Sequence, residues 1–145
     1  MVLSIVIVNW NTREYLRRCL ASIEANPPTV EHEIIAIDNA SPDGSAEMVR
    51  AEFPGARLIA NADNAGYAEG NNQGMEIARG EYVLLLNPDV EVKPGAFDAL
   101  VQCAERHPNA AAVGCRLVGD DGLVQRSLRS FPGPWDVLFE YTKLS

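Results

Sequence analysis

The sequence predicts an α/β fold: a mostly parallel central sheet with helices on both of its faces. Three observations carry that prediction. Short apolar, β-branched runs recur along the chain, continuous rather than alternating, as in strands covered on both sides. Between them lie segments with apolar residues at helical spacing. The junctions are rich in Asn, Asp, Gly and Pro, residues that end regular structure.

The elements follow in order. Residues 3–8 (LSIVIV) form the first strand. Asn11 is placed to cap a helix, with Glu14 as its reciprocal partner. Leu16, Cys19, Leu20 and Ile23 give that helix an apolar face, and Asn26-Pro27-Pro28 ends it near Ala25. Residues 33–37 form a second strand, followed by the turn-rich run DNASPDG and a helix over 45–52. Residues 57–60 form a third strand. A polar loop over 61–66 leads into a helix over 68–78, which stops before Gly80 as its C′ residue. Residues 82–86 (YVLLL) form a fourth, wholly apolar strand. Pro94-Gly95 opens a helix to Arg106, stopped by His107-Pro108. Residues 110–118 form a fifth strand and residues 123–127 a sixth, flanking Asp120-Asp121-Gly122, a hairpin-turn signal. A last short helix spans 134–144, with Trp135, Leu138 and Phe139 on one side.

At 145 residues the chain is one domain in size, so a single domain over 1–145 is expected. Twenty acids oppose twelve bases, for a net charge of -8. There is no Lys/Arg cluster of the kind nucleic-acid binding requires, so nucleic acid is excluded as a partner. No apolar run approaches the ~20 residues that span a bilayer. No leader-like segment opens the chain either, and a cytoplasmic location is expected. The three cysteines, Cys19, Cys103 and Cys115, fit neither a disulfide framework nor a zinc site. All three read as buried, inert thiols.

In parallel sheets of this kind ligands bind outside the carboxyl ends of the strands. Those ends read Asn9-Trp10-Asn11, Asp38-Asn39-Ala40-Ser41, Asn61-Ala62-Asp63-Asn64-Ala65-Gly66-Tyr67 and Asn87-Pro88-Asp89. Turn chemistry alone can place Asn, Asp and Gly at any one of these positions. It does not explain Trp10, since a loop gains nothing from an indole. Nor does it explain Asn71 and Asn72 inside a helix that Gly70 and Gly74 already weaken by about 1 kcal/mol each. Such glycines admit a ligand or a neighbouring backbone. Tight packing on the sheet accounts for them equally well, though not for the asparagines. No Gly-rich phosphate loop follows the first strand, which excludes a dinucleotide-binding dehydrogenase and a P-loop NTPase. A diphosphate here would need a cation, held by Asp89 at a strand end whose backbone Pro88 fixes.

The runs SIVIVNWN, IDNASPDGS and NAGYAEGNNQGMEIARGEYVLLLNPDV, in that order, resemble the inverting family 2 glycosyltransferases. The Asn-Pro-Asp motif and the Asp-Asn-Ala-Ser loop are most similar to a rhamnosyltransferase-like branch. The resemblance covers nearly the whole chain. It implies the GT-A fold, which is Rossmann-like and typical of nucleotide-diphospho-sugar transferases. It implies a nucleoside-diphosphate sugar, dTDP-rhamnose or a UDP-sugar, passed to a glycan or lipid-linked acceptor in polysaccharide or cell-wall synthesis. It implies that Val8, Asn9, Trp10 and Asn11 line base and ribose, with Trp10 stacked on the base. Asp38 would close the base pocket, and the Asn39 amide oxygen would accept the base N3–H. Asn64, Gly66, Tyr67 and Asn72 would lie along the nucleotide. Asn87 and Pro88 would border the diphosphate, and Asp89 would hold Mg²⁺ or Mn²⁺ as the one surviving acid of the metal motif.

The family's general base lies well downstream of that motif. On this reading the chain is C-terminally truncated relative to a full transferase, is inactive by itself, and has its base beyond Ser145. The full protein could still associate peripherally with a membrane. Two other readings stay open: a non-catalytic module that binds nucleotide or a partner, and a nucleotidyltransferase. The second lacks its usual Gly-rich basic segment here.

Overall fold

The computed structural model describes residues 1–119 and 121–125. The helix expected over 134–144, with Trp135, Leu138 and Phe139, lies outside the described residues, as do Asp120 and residues 126–127. The chain divides into two compact units, Met1–Val113 and Gly114–Ser145.

The first unit alternates strand and helix: β1 (Leu3–Asn9), α1 (Arg13–Ala25), β2 (His32–Asp38), α2 (Ser45–Glu52), β3 (Arg57–Ala60), α3 (Tyr67–Ile77), β4 (Tyr82–Leu86) and α4 (Ala96–Arg106). The four strands form one sheet in the order β3-β2-β1-β4, and every pairing is parallel. β1, β2 and β3 step one way, and β4 returns to the other side of β1. The order therefore reverses between β1 and β4.

Period-two alternation along β1 splits the core. Leu3, Ile5 and Ile7 face one way and pack with Leu16, Leu20 and Ile23 of α1, Met48 and Val49 of α2, and Phe97 and Val101 of α4. Val6 and Val8 face the other way, with Ile35 and Ile37 of β2 and Ile77 of α3. The glycines of α3 explain how closely it lies on the sheet. A Cβ on Gly74 would stand 2.4 Å from Val6 Cγ1, and one on Gly70 2.8 Å from Val8 Cγ1. Side chains of the underlying strands, not a ligand, are thus what these glycines admit. β4 is covered less evenly. Tyr82, Leu84 and Leu86 pack into the larger cluster, while Val83 and Leu85 are 40% and 44% exposed.

A buried carboxylate fastens the amino ends of the strands. Glu33 accepts hydrogen bonds from Ser4 Oγ (2.8 Å), the Arg79 backbone N–H (2.8 Å), Arg79 Nη2 (2.9 Å) and Arg57 Nη1 (3.0 Å). Burial alone would push its carboxyl up. The bonds from Arg79, Ser4 and Arg57 outweigh burial and hold it at about 2. Gly80 is not a helix-end residue, because α3 ends at Ile77. A Cβ on Gly80 would meet the Ser4 backbone nitrogen at 2.6 Å, so glycine serves close approach there.

The expected fifth strand over 110–118 does not form. Among the described residues only Val118 of this segment pairs, in an antiparallel bridge to Val124, and most of the segment is exposed. Its alanine triplet has little β-propensity and is exposed. In the second unit Gly122 (φ 76) turns the chain, and Gln125 N–H donates to Leu117 O at 2.9 Å, as the hairpin signal implied. Of the thiols expected to be buried, only Cys19 is; Cys103 is half-buried and Cys115 exposed. Burial, then the charges of Asp89 and Glu91, pushes Cys19 up to about 12, so it is a neutral thiol at physiological pH. No described helix is long and apolar enough to cross a membrane.

Candidate functional site

At the carboxyl edge of the sheet the predicted residues sort into a buried frame and an exposed rim. The frame centres on Asn9 and Asp38, which stand opposite each other in the β1–β2 register and are 0% and 2% exposed. Asn9 Nδ2 donates to Asp38 Oδ1 (2.8 Å) and to Ser41 Oγ (3.1 Å), while its Oδ1 accepts from Thr12 Oγ1 (2.6 Å). Asp38 Oδ2 accepts from Ser41 N–H at 3.0 Å, and Ser41 Oγ from Asn11 N–H at 2.8 Å. These bonds satisfy polar groups that the strand ends would otherwise bury unpaired. They also hold Asn11 and Ala40 at φ 56. For alanine that left-handed conformation costs on the order of 1–2 kcal/mol, strain that only a fixed surrounding sustains.

The start of α1 differs from expectation. Its N-cap is Thr12, with no side-chain cap bond, and not Asn11. The cap comes from the loop after β2: Asp43 Oδ2 accepts the Arg13 N–H at 2.8 Å. Asp43 Oδ1 also accepts the Ser45 N–H (3.1 Å) and hydroxyl (2.6 Å), so one carboxylate terminates both α1 and α2. Burial would push Asp43 up. The bonds from Ser45 and the Arg13 N–H win and hold it below its ordinary value. Replacing Asp43 by alanine removes two caps and is expected to destabilise the fold by about 2 kcal/mol, read by urea unfolding near neutral pH. Because the folded value is the lower one, this contribution is present above the ordinary carboxylate value and is lost as pH falls from there through the folded value.

The rim consists of side chains that face outward. Trp10 is 56% exposed and Tyr67 55%. Asn11, Asn64, Gly66, Asn72, Asn87 and Asp89 are exposed as well, and Pro88 is half-buried. Tyr67 Oη donates to Asn87 Oδ1 at 3.0 Å, joining the start of α3 to the end of β4. Asn64 Oδ1 accepts the Gly66 N–H at 2.9 Å and shapes the turn before α3. Val8, 6% exposed, packs under α3 and belongs to the frame. Asn39 is buried too, 1% exposed, and its Oδ1 accepts from Asn61 Nδ2 at 2.8 Å. That oxygen is therefore already engaged with the exit of β3. Of the helix asparagines, Asn71 is buried and donates to Tyr67 O at 2.8 Å, while Asn72 is exposed.

Among the described residues no three His, Cys, Asp or Glu side chains form a metal-binding group. Asp89 is an exposed carboxylate at the end of β4, and nearby Glu91 is paired with Arg18. A cation here fits only if the ligand supplies most of its oxygens. Sequence reasoning missed Asp43, Ser41 and Thr12 as members of the frame. The only signal for Asp43 is its place two residues before Ser45, where an Asp can cap the helix that follows.

A parallel sheet whose order reverses is a Rossmann-like α/β arrangement, a class of sheet in which ligands bind outside the strand ends at the reversal. The sequence model for glycosyl transferase family 2 matches residues 4–144. The chain is 34% identical over 142 residues to the N-acetylglucosaminyl-diphospho-decaprenol L-rhamnosyltransferase of Mycobacterium tuberculosis, covering 90% of this chain and 46% of that protein. Among solved structures it resembles S. aureus TarS in complex with UDP-GlcNAc, at TM-score 0.65 and 21% identity over 74% of this chain and 32% of that one. It also resembles a Pyrobaculum calidifontis mannosyltransferase in complex with GDP-Man and Mn²⁺, at TM-score 0.61 and 22% identity over 72% of this chain and 32% of that one. The structural likeness is one of fold, and the fold is GT-A. The chain belongs to glycosyl transferase family 2. It spans about half the length of the curated rhamnosyltransferases it matches.

Proposed function

We propose that the first unit is the donor site of an inverting glycosyltransferase. It would hold a nucleoside-diphosphate sugar, dTDP-rhamnose or a UDP-sugar, in the crevice where the strand order reverses. The full-length protein would pass the sugar to a glycan or lipid-linked acceptor in polysaccharide or cell-wall synthesis. The carrying observation is that exposed Trp10, the Tyr67–Asn87 pair and Asp89 all stand at the ends of β1 and β4 and the start of α3. The mycobacterial relative's name specifies rhamnosyl transfer to a diphospho-lipid, which supports this donor and acceptor class.

On this reading Trp10 stacks on the base, and Asn11, Asn64, Gly66, Tyr67 and Asn72 border nucleotide and sugar. Val8, Asn9 and Asp38 shape the pocket from beneath. Asn87 and Pro88 border the diphosphate. The usual phosphate seat of a βαβ unit, the start of its first helix, is taken by the Asp43 carboxylate at Arg13 N–H. The diphosphate charge must then be met on the β4 side. Asp89 would hold Mg²⁺ or Mn²⁺ there, which supplies a Lewis acid for the departing diphosphate. Inversion also needs a base for the acceptor hydroxyl, and no described residue is assigned that role. We place the protein in the cytoplasm, with a lipid-linked acceptor drawing it to the membrane surface.

Titration with UDP and dTDP in the presence of Mn²⁺ tests the site. Both should change tryptophan fluorescence saturably, and Trp10→Phe should remove most of the change. Binding of neither nucleotide to the unaltered chain would sink the donor-site reading.

A further inference from the structure

Asn39, just past the carboxyl end of β2, has a fully engaged, buried side chain beside the rim. Both ends of its amide are in use. Nδ2 donates to the Gly66 carbonyl at 3.1 Å, and Oδ1 accepts from Asn61 Nδ2 at 2.8 Å. Asn61 shares the same nitrogen with Gln73 Oε1 at 2.9 Å, which ties the exit of β3 to α3. A Cβ on Gly70 would come within 3.5 Å of Asn39 Nδ2, so α3 closes over the amide. At 1% exposure the residue is almost wholly shielded from solvent.

The carbonyl that Asn39 holds belongs to Gly66, the N-cap of α3, at φ +85. The next residue is Tyr67, whose hydroxyl donates to Asn87 Oδ1. A continuous path runs from the end of β2, through one backbone carbonyl, to the first residue of the Asn-Pro-Asp motif.

We infer that Asn39 is a positioning residue: it hangs the start of α3 from β2 and so sets where Tyr67 stands against Asn87. Its consequence for the nucleotide rests on the donor-site reading, but the positioning itself does not. The role needs an amide. A carboxylate of the same shape has no hydrogen to give the Gly66 carbonyl, and it would set two acceptors against each other in a buried place. Protonating that carboxyl restores a donor. The two groups that hydrogen-bond the Asn39 side chain (Gly66 and Asn61) and Gly70 of α3 beside it are uncharged, and neighbouring Asp38 turns its carboxylate to Asn9 and Ser41.

The test is Asn39→Asp in the full chain, with two readouts. By NMR, the Asn87 side-chain amide should shift at neutral pH and return toward its original place in mild acid, while the unaltered chain shows no such recovery. In a Tyr67→Phe background Asn39→Asp should leave Asn87 unmoved. UDP or dTDP affinity should fall about tenfold at neutral pH, as for one lost buried hydrogen bond. A disturbance confined to Gly66 and its neighbours, with Asn87 unmoved, overturns the proposal. If the unaltered chain binds neither nucleotide, the donor-site reading fails while the NMR arm still decides the positioning. Should Asn39→Asp not fold, Tyr67→Phe alone, at an exposed position, must shift the Asn87 amide; no shift overturns the path.

Discussion

Replacing Glu33 by alanine is expected to destabilise the domain by about 3 kcal/mol, the cost of breaking a buried charged cluster by removing one partner. Glu33 is 7% exposed and gathers bonds from Ser4, Arg57 and both the backbone and side chain of Arg79. Its removal takes the acceptor from the Ser4 hydroxyl hydrogen and leaves the Arg79 N–H only its longer bond to Ser4 Oγ (3.2 Å). The two guanidinium groups, 43% and 62% exposed, turn to water instead, which keeps the loss at the lower end of the range for buried pairs. Glu33→Gln retains the shape and an acceptor oxygen and should cost roughly half as much. The pH dependence has a definite sign. The folded carboxyl sits at about 2, below its ordinary 4.5, so its contribution is complete above 4.5 and drains away as pH falls toward 2. Urea unfolding at several pH values checks this: the gap between the native chain and Glu33→Gln should be widest near neutrality and narrow in acid. A gap under 1 kcal/mol at pH 7 would show that the arginines do not need this carboxylate.

Replacing Asp89 by alanine is expected to abolish the effect of Mn²⁺ on nucleotide binding. Affinity for UDP or dTDP with Mn²⁺ present should drop about 10- to 100-fold, matching the roughly 1.5–3 kcal/mol of a charge-assisted contact. Metal-free affinity should stay level or rise slightly, since a negative charge beside the diphosphate has gone. Asp89 is exposed, so the fold should tolerate the change. Calorimetry with and without Mn²⁺ separates the two effects. Unchanged Mn²⁺ dependence would place the cation elsewhere and remove Asp89 from the site.

Much of the fold was legible because the four strands announce themselves as short apolar runs; β1 and β2 at the centre of the sheet are the ones covered on both faces. The fifth run, over 110–118, is apolar but carries only two β-branched residues, Val113 and Val118, on either side of Gly114, and apolarity alone did not make it a strand. At the site, sequence found the strand ends but not the depth of each side chain. Asn9, Asp38 and Asn39 read much like Asn11, Asn64 and Asn87, yet the first three are buried and the last three exposed. Depth depends on which neighbour covers a residue, and Asn39 is covered by a helix that begins 28 positions later, at Tyr67 (67 minus 39). The same limit hid Asn71. Both helix asparagines lack an apolar reason to be where they are, but only contact with the sheet decides which one turns inward.

The carboxylate shared by two helices bears on the order in which the chain can fold. The Arg13 N–H and its acceptor Asp43 are 30 residues apart in sequence. A nascent chain that has made only the first strand and helix has nothing to cap that helix. Its first turn can settle only after the second strand has docked beside the first and carried Asp43 into reach. Native contacts in that turn should therefore form late, on the downhill side of the folding barrier, whereas α2, whose cap lies two residues before Ser45, can assemble from local sequence alone.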